Sequence, residues 1–241
     1  INLDMEGRGR FSYSVVLAGF VAADKLASTT TSWKVTRTYE PAQRMLDGQV
    51  IPRGFGVLSG SYETFRNPLT QLPLGERGEV TLRVRRLNLT SSSTTQLDYL
   101  IVTEPIPAGA TVLANSIRGS YERYEVSPGQ ITFYLGDSRS FSDIRYTLVG
   151  YLPGNYRAVP TLVRSFYEPG RIAISTTKSL DVLSRGGKSK DAYKLTPIEL
   201  YEFGKRLAAK RDYDGAHQHL TALFKDYRLN NGTYQTVVRL L

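Results

Sequence analysis

The chain has 241 residues, a net charge of +9, 41% hydrophobic residues and 22% charged residues. That balance is ordinary for a globular protein and excludes collagen-like chains and charge-driven disorder. Cysteine is absent, which removes disulfides, thiolate metal sites, a cysteine nucleophile and a cysteine-derived thioester.

The basic excess is spread along the chain without a polybasic block. A solvated surface accounts for it, and no nucleic-acid partner is expected. The best apolar stretch, Val15 to Ala23, falls short of the ~18 residues that read as a membrane-spanning helix, so no transmembrane segment is expected. The chain opens on Ile1-Asn2-Leu3-Asp4 and closes on Val238-Arg239-Leu240-Leu241, a helical-looking run. The expectation from both ends is a fragment of a longer polypeptide.

From about Arg10 to Leu183 the pattern is that of strands. Phe11–Leu17 alternates first. Trp33–Tyr39 follows, with apolar or aromatic residues at 33, 35 and 39. The segment from 40 to 74 is rich in Gly and Pro and reads as an irregular insertion with a hairpin. Val80, Leu82 and Val84 fall on one face of the next strand. Further strands are expected at Asp98–Glu104, Tyr121–Val126, Ile131–Leu135, Ile144–Tyr151, Thr161–Tyr167 and Ile172–Val182. Turn residues at Pro105-Ile106-Pro107-Ala108-Gly109 and Ser127-Pro128-Gly129 separate them. Many short strands between turns predict a mainly β fold, an antiparallel β-sandwich spanning 1–184.

The texture changes at Ser184-Arg185-Gly186-Gly187-Lys188-Ser189-Lys190, and 185–195 reads as a linker. Thr196-Pro197-Ile198-Glu199 then has the form of a capping box with Pro at the first helical position. Leu200, Phe203, Leu207 and Ala208 form an apolar stripe at helical spacing. A second helix follows Asp212, carrying Ala216, Leu220, Leu223 and Phe224. Asn230-Asn231-Gly232-Thr233 precedes a third helical start. The segment 196–241 is thus expected to be a small α-helical hairpin, incomplete at its end.

Few residues point to chemistry. His217 and His219 are two apart on a helix, so they point in opposed directions and cannot share a metal. With no other histidine, a Ser-His-Asp triad cannot be built. Gly54-Phe55-Gly56-Val57-Leu58-Ser59-Gly60 lacks the Lys-Ser/Thr ending and the strand-to-helix context of a phosphate loop. Glu122, Glu125, Asp137 and Asp143 lie among the strands, but no spacing rule pairs two of them for hydrolysis. The 16 tyrosines suit a sandwich core, where the ring packs and the hydroxyl reaches an edge. Stacking on sugars or bases is the less favoured reading. Asn88-Leu89-Thr90 and Asn231-Gly232-Thr233 match the glycosylation triplet.

The strand region resembles the C-terminal part of bacterial alpha-2-macroglobulin-family proteins. Gly7-Arg8-Gly9-Arg10-Phe11-Ser12-Tyr13-Ser14 is similar to the glycine-led strand that leaves that family's thioester domain. Val35-Thr36-Arg37-Thr38-Tyr39 is similar to the strand that opens its last macroglobulin domain. Leu74–Val84 is similar to the strand segment beyond it. Asp98–Gly109 resembles the family's Asp-Pro-Leu-Pro-Ala-Gly block, with Glu104 in place of Asp and Ile106 in place of Leu. Gly150–Pro160 and Phe166-Tyr167-Glu168-Pro169 resemble the two blocks that follow, in family order. The helical tail resembles a tetratricopeptide repeat: Phe203-Gly204, Leu207, Asp212-Tyr213-Asp214, Ala216 and Leu220 fit a 34-residue frame.

The resemblance implies a terminal macroglobulin-like domain with a tetratricopeptide-like segment. It implies a non-catalytic fragment of a large protein, contributing to protease capture, protease inhibition or envelope defence through contacts between domains and partners. The implied partners are upstream macroglobulin and thioester-type domains, with a protease or envelope protein beyond them. The implied location is extracytoplasmic: periplasmic, envelope-associated or secreted. No catalytic residue carries over, and no cofactor or metal is expected. The alternative is a stand-alone glycan- or surface-binding β-sandwich using exposed tyrosines. A carboxylate hydrolase would need two facing acidic groups in a cleft.

Overall fold

Alternation explains most of the strands. The computed structural model describes residues 6–8, 22, 25–42, 45–46, 49–51, 56–59, 67–87, 99–136 and 141–241. In chain order the strands are β1 (Trp33–Pro41), β2 (Met45–Leu46), β3 (Gln49–Val50), β4 (Gln71–Pro73), β5 (Arg77–Arg86), β6 (Leu100–Pro105), β7 (Ala110–Val112), β8 (Arg118–Gly119), β9 (Arg123–Ser127), β10 (Gln130–Leu135), β11 (Phe141–Gly150), β12 (Gly154–Ala158), β13 (Leu162–Ser165), β14 (Ile172–Ile174) and β15 (Lys178–Leu183). Three helices follow: α1 (Pro197–Ala209), α2 (Tyr213–Asp226) and α3 (Asn231–Leu240). The expected strand Phe11–Leu17 lies outside the described residues.

Two five-stranded antiparallel sheets share one core. The first has the order β1-β5-β11-β7, with β8 also on β11; the second has the order β14-β13-β6-β10-β9. Val35, Leu82, Ile144 and Leu148 of the first sheet pack in one cluster with Val102, Ile131, Phe133 and Val163 of the second. Strands β10 and β11 bury every second residue, as a sheet with one wet face must. A third sheet, β12-β15-β4, contains the parallel pair β15–β4, and β2 pairs with β3 as a hairpin.

The expected strand Ile172–Val182 is two strands in different sheets, β14 on β13 and β15 on β12. The break falls where Ser175 and Thr176 meet distant partners. Ser175 is tied to Thr161 through Ser175 N to Thr161 O at 3.0 Å and Thr161 N to Ser175 Oγ at 2.9 Å. The Thr176 carbonyl turns toward Arg37. Strand β4, inside the segment read as an irregular insertion, forms because its edge pairs with β15.

The helices start where their caps predict. Thr196 and Glu199 complete the capping box reciprocally, at 3.2 and 2.8 Å. Asp212 accepts from Gly215 N, and Asn230 accepts from Thr233 N. Leu200, Leu220, Leu223 and Val237 form a second, smaller core. At Gly204 a Cβ would lie 2.5 Å from Leu220 Cγ, so glycine is what lets α1 and α2 approach there.

The stretch that leads into α1 is fastened to residues 67–71. Asp191 accepts from Thr70 N at 2.7 Å, from Gln71 N at 2.9 Å and from the Thr70 hydroxyl. Asn67 and Lys194 exchange two bonds of 2.8 Å. Further along, Leu58 and Leu229 form a β-bridge. There Asn230 caps α3 with its Oδ1 and donates its Nδ2 to Gly56 O at 2.7 Å.

Burial opposes ionisation of Asp191, but the donors from Thr70 and Gln71 outweigh it and hold its carboxyl below the usual value. A lowered carboxyl stabilises the fold above its unfolded pKa of 3.8, and that contribution disappears as pH falls through the folded value. Asp191→Asn should therefore lose about 1 kcal/mol at pH 7 by chemical denaturation. The loss should shrink toward zero as the pH is lowered below the usual carboxylate range. A pH-independent difference would count against the clasp.

Candidate functional site

The innermost polar group on β1 is Arg37, which keeps phase with Trp33, Val35 and Tyr39 and so must point into the core. Its partner is Glu104 on β6 of the other sheet, at 3.2 Å, with both side chains 0% exposed. The Tyr146 hydroxyl donates to Glu104 Oε1 at 2.7 Å, and the Thr161 hydroxyl donates to Oε2. Arg37 also donates to the carbonyls of Val159 at 2.8 Å and Ala158 at 2.9 Å. Its Nε, the Tyr39 hydroxyl and Trp33 Nε1 have no hydrogen-bond partner among the described residues.

Burial dominates the electrostatics here. It works against the charge on Arg37, but neighbouring Glu104 reverses the outcome and holds the guanidinium above its ordinary value. Burial pushes the Glu104 carboxyl up, while Arg37, Thr161 and Tyr146 pull it back. Burial and the Glu104 carboxylate both raise the Tyr146 phenol; burial raises Tyr39 first, with Glu104 adding. With both charged side chains buried, the network joins the two sheets across the core.

The residues singled out by sequence do not converge. His217 Nε2 lies 3.5 Å from the Thr221 hydroxyl, whereas His219 stacks on Phe203 across α1 and α2. Glu125 is paired with Arg123 at 3.0 Å, and Asp143 takes two bonds from Arg83 at 2.7 and 3.0 Å. Asp137 and Asn88-Leu89-Thr90 lie outside the described residues, as do Gly54, Phe55 and Gly60. Gly56–Ser59 runs as a turn into the bridge with Leu229. Asn231-Gly232-Thr233 is the first turn of α3, with Thr233 buried. Among the described residues, no group of three or more His, Asp or Glu is placed to hold a metal.

The tyrosines divide. Tyr39 and Tyr146 are core residues, while Tyr99, Tyr151, Tyr167, Tyr213 and Tyr234 are exposed. Register brings some of the exposed rings together. Ser165 is opposite Leu100, and Tyr134 is opposite both Ile101 and Arg123. Tyr99, Phe166 and Tyr167 therefore meet at one end of β6 and β13, facing Tyr134, Arg123 and Glu122. Together they line a cleft of about 390 Å³ floored by Leu100, Ile101 and Leu135. The Tyr99 and Tyr167 rings stand edge to face at 6.2 Å, as do Phe166 and Tyr167 at 5.3 Å. Sequence reasoning had no means of joining residues 99, 122 and 166, because only the strand register does so.

A second apolar surface lies on the helices. Phe224 and Tyr234 stack at 5.6 Å, and Val238 and Leu241 continue the exposed stripe along α3.

No protein-family model matches the sequence, and no curated protein matches it. Solved structures do. Native alpha-2-macroglobulin from Escherichia coli, from domain MG7 to the C-terminus, is similar at 16% identity and TM-score 0.45, over 65% of this chain and 24% of that one. Salmonella alpha-2-macroglobulin reacted with methylamine is similar at 16% identity and TM-score 0.46, over 66% of this chain and 10% of that one. The N-terminal domain of a Streptococcus gordonii adhesin is similar at 8% identity and TM-score 0.41, over 62% of this chain and 32% of that one. The chain thus spans a third or less of the length of each.

Proposed function

We propose that the chain is a non-catalytic protein-interaction module of a larger alpha-2-macroglobulin-like protein: a macroglobulin-like sandwich bearing a tetratricopeptide-like helical unit. One observation carries this reading. The sequence blocks that resemble the family meet in one network. Arg37 and Tyr39 belong to the first strand block, and Glu104 stands at the acidic position of the Pro-Ala-Gly block. Ala158 and Val159, whose carbonyls accept from Arg37, belong to the block ending in Pro160. Chance matches scattered along 241 residues have no reason to supply both partners of a buried ion pair.

The helical part of the reading rests on repetition. The helix caps Thr196 and Asn230 lie 34 positions apart, the tetratricopeptide period. Such units bury their faces by stacking on neighbours, and the exposed stripe of Phe224, Tyr234 and Val238 is a surface of that kind. No helix among the described residues is long and apolar enough to cross a membrane. In this reading the parent acts in protease capture or envelope defence outside the cytoplasm.

The test is binding to the remainder of the parent polypeptide, prepared separately and titrated by calorimetry. Saturable binding that falls at least about tenfold with Phe224→Ser or Val238→Ser, two exposed positions whose change spares the core, is expected. No affinity for any upstream segment would remove the proposal.

A further inference from the structure

We infer that the outer edge of β9 pairs with β9 of a second copy of this chain. Two β14-β13-β6-β10-β9 sheets then run on as one across a two-fold axis at Tyr124. The inference is independent of the macroglobulin-like reading.

Backbone groups are the first argument. β9 ends its sheet: it pairs with β10 and, among the described residues, with no other strand. Ser127 and Gln130 face each other across the Pro128-Gly129 turn. Pro128 has no N–H, so their bridge is the kind in which two residues exchange both bonds. Alternation from that pair turns the N–H and C=O of Glu125 and Arg123 toward β10. Those of Tyr124 and Val126 point outward, where unpaired groups are a template for a further strand. At the opposite edge, β14 is covered. Thr29 N donates to Ile172 O at 2.8 Å, Ile172 N donates to Thr29 Oγ1 at 2.8 Å, and Ile174 N donates to Ser28 Oγ at 3.1 Å.

The core face also runs out at this edge. Tyr124 and Val126 stand opposite Phe133 and Ile131, both fully buried, so all four share the inner face of the sheet. Val126 is nevertheless 50% exposed. A paired second copy sets its own Tyr124 diagonally across from Val126, within reach of an aromatic ring.

Charge selects the second copy and its register. A two-fold axis through an antiparallel pair sets one residue opposite itself. Arg123 or Glu125 at the axis would oppose like charges, which is unfavourable. With Tyr124 at the axis, Tyr124 exchanges both outward bonds with its copy, and Arg123 of each chain meets Glu125 of the other. Within one chain Arg123 and Glu125 already pair at 3.0 Å, with side chains 64% and 51% exposed. Two such pairs close into a square of alternating charge. Lysine on an edge strand repels its own copy and guards against this contact; Arg123-Tyr124-Glu125 is self-complementary instead.

The experiment is sedimentation velocity of the full chain. An edge of five residues buries less than a standard interface, so a dissociation constant of about 0.1 mM is expected. Arg123→Glu alone and Glu125→Arg alone should each weaken the dimer at least about tenfold, because each opposes like charges twice. Mixed one to one, the two variants should associate about as well as the wild type, since each supplies the charge the other lacks. The double variant Arg123→Glu/Glu125→Arg should also dimerise. Glu168→Arg, the same charge change at an exposed site away from β9, should have no effect. Should a single variant lose the wild-type circular dichroism, the double variant decides in its place. A chain that stays monomeric up to about 0.5 mM overturns the inference. So does a dimer that both single variants leave unchanged, or a mixture of the two that fails to associate.

Discussion

Arg37→Met should destabilise the protein by about 3–5 kcal/mol, read from the midpoint of guanidinium unfolding at constant slope. The reason is less the loss of a favourable pair than what remains. Glu104 would keep its place at 0% exposure, with Tyr146 and Thr161 still donating but no cation beside it. Breaking one side of a buried pair strands the other, and that is the expensive event. The double variant Arg37→Met/Glu104→Gln should recover at least about half of the loss. A neutral amide needs no counter-ion, and its oxygen still accepts from Tyr146. If the double variant is as unstable as the single one, the ion pair is not the source of the effect.

The same variant carries a pH dependence with a definite sign. Burial raises the Glu104 carboxyl, and Arg37 is the first of the groups that pull it back. Without Arg37 the folded value moves further above the unfolded 4.5. A carboxyl whose folded value is raised favours the fold fully below the unfolded pKa. It loses that contribution as pH rises through the folded one. Arg37→Met should therefore lie closest to the wild type near pH 4, and the gap should widen toward pH 8.

Leu220→Ala should cost about 2–5 kcal/mol and strike a different part of the molecule. Leu220 is fully buried and fills the notch over Gly204, in a core of only four buried side chains with partly buried neighbours. A core that small has no spare packing to relax into. Circular dichroism should show the helical signal melting well before the β signal. A single coincident transition at the wild-type midpoint would show that Leu220 is not what joins α1 to α2. Gly204 and Leu220 belong to one contact, so a Gly204→Ala change should add less than its own single cost to Leu220→Ala.

Much of this architecture was legible in the chain. Val80, Leu82 and Val84 alternate without exception, and the structure buries all three. The Thr196–Glu199 box gives the first residue of α1 because local hydrogen bonds decide it. Arg37 was also visible in principle, since a charge in phase with Trp33, Val35 and Tyr39 signals a buried cation. Its counter-ion was not: Glu104 lies 67 positions away and meets Arg37 only across the two sheets. What stayed hidden depends on register between distant strands. The break between β14 and β15 follows from where Thr161 and Arg37 end up, and the aromatic cleft follows from setting Leu100 opposite Ser165. The hold of 67–71 on the stretch before α1 rests on Asn67, Thr70 and Asp191, polar residues with no local pattern.

The position of Arg37 has a consequence for biosynthesis. The carbonyls that receive its guanidinium belong to Ala158, Val159 and Thr176, separated from it by 121, 122 and 139 positions. At ribosomal speeds of about 5–20 residues per second, the strand that starts at Trp33 waits on the order of ten seconds for the residues that enclose it. Strands β5, β6 and β10 leave the ribosome sooner, so what β1 lacks through that interval is the set of carbonyls that receive Arg37. Until they are made, the charge on Arg37 favours keeping that part of the strand hydrated.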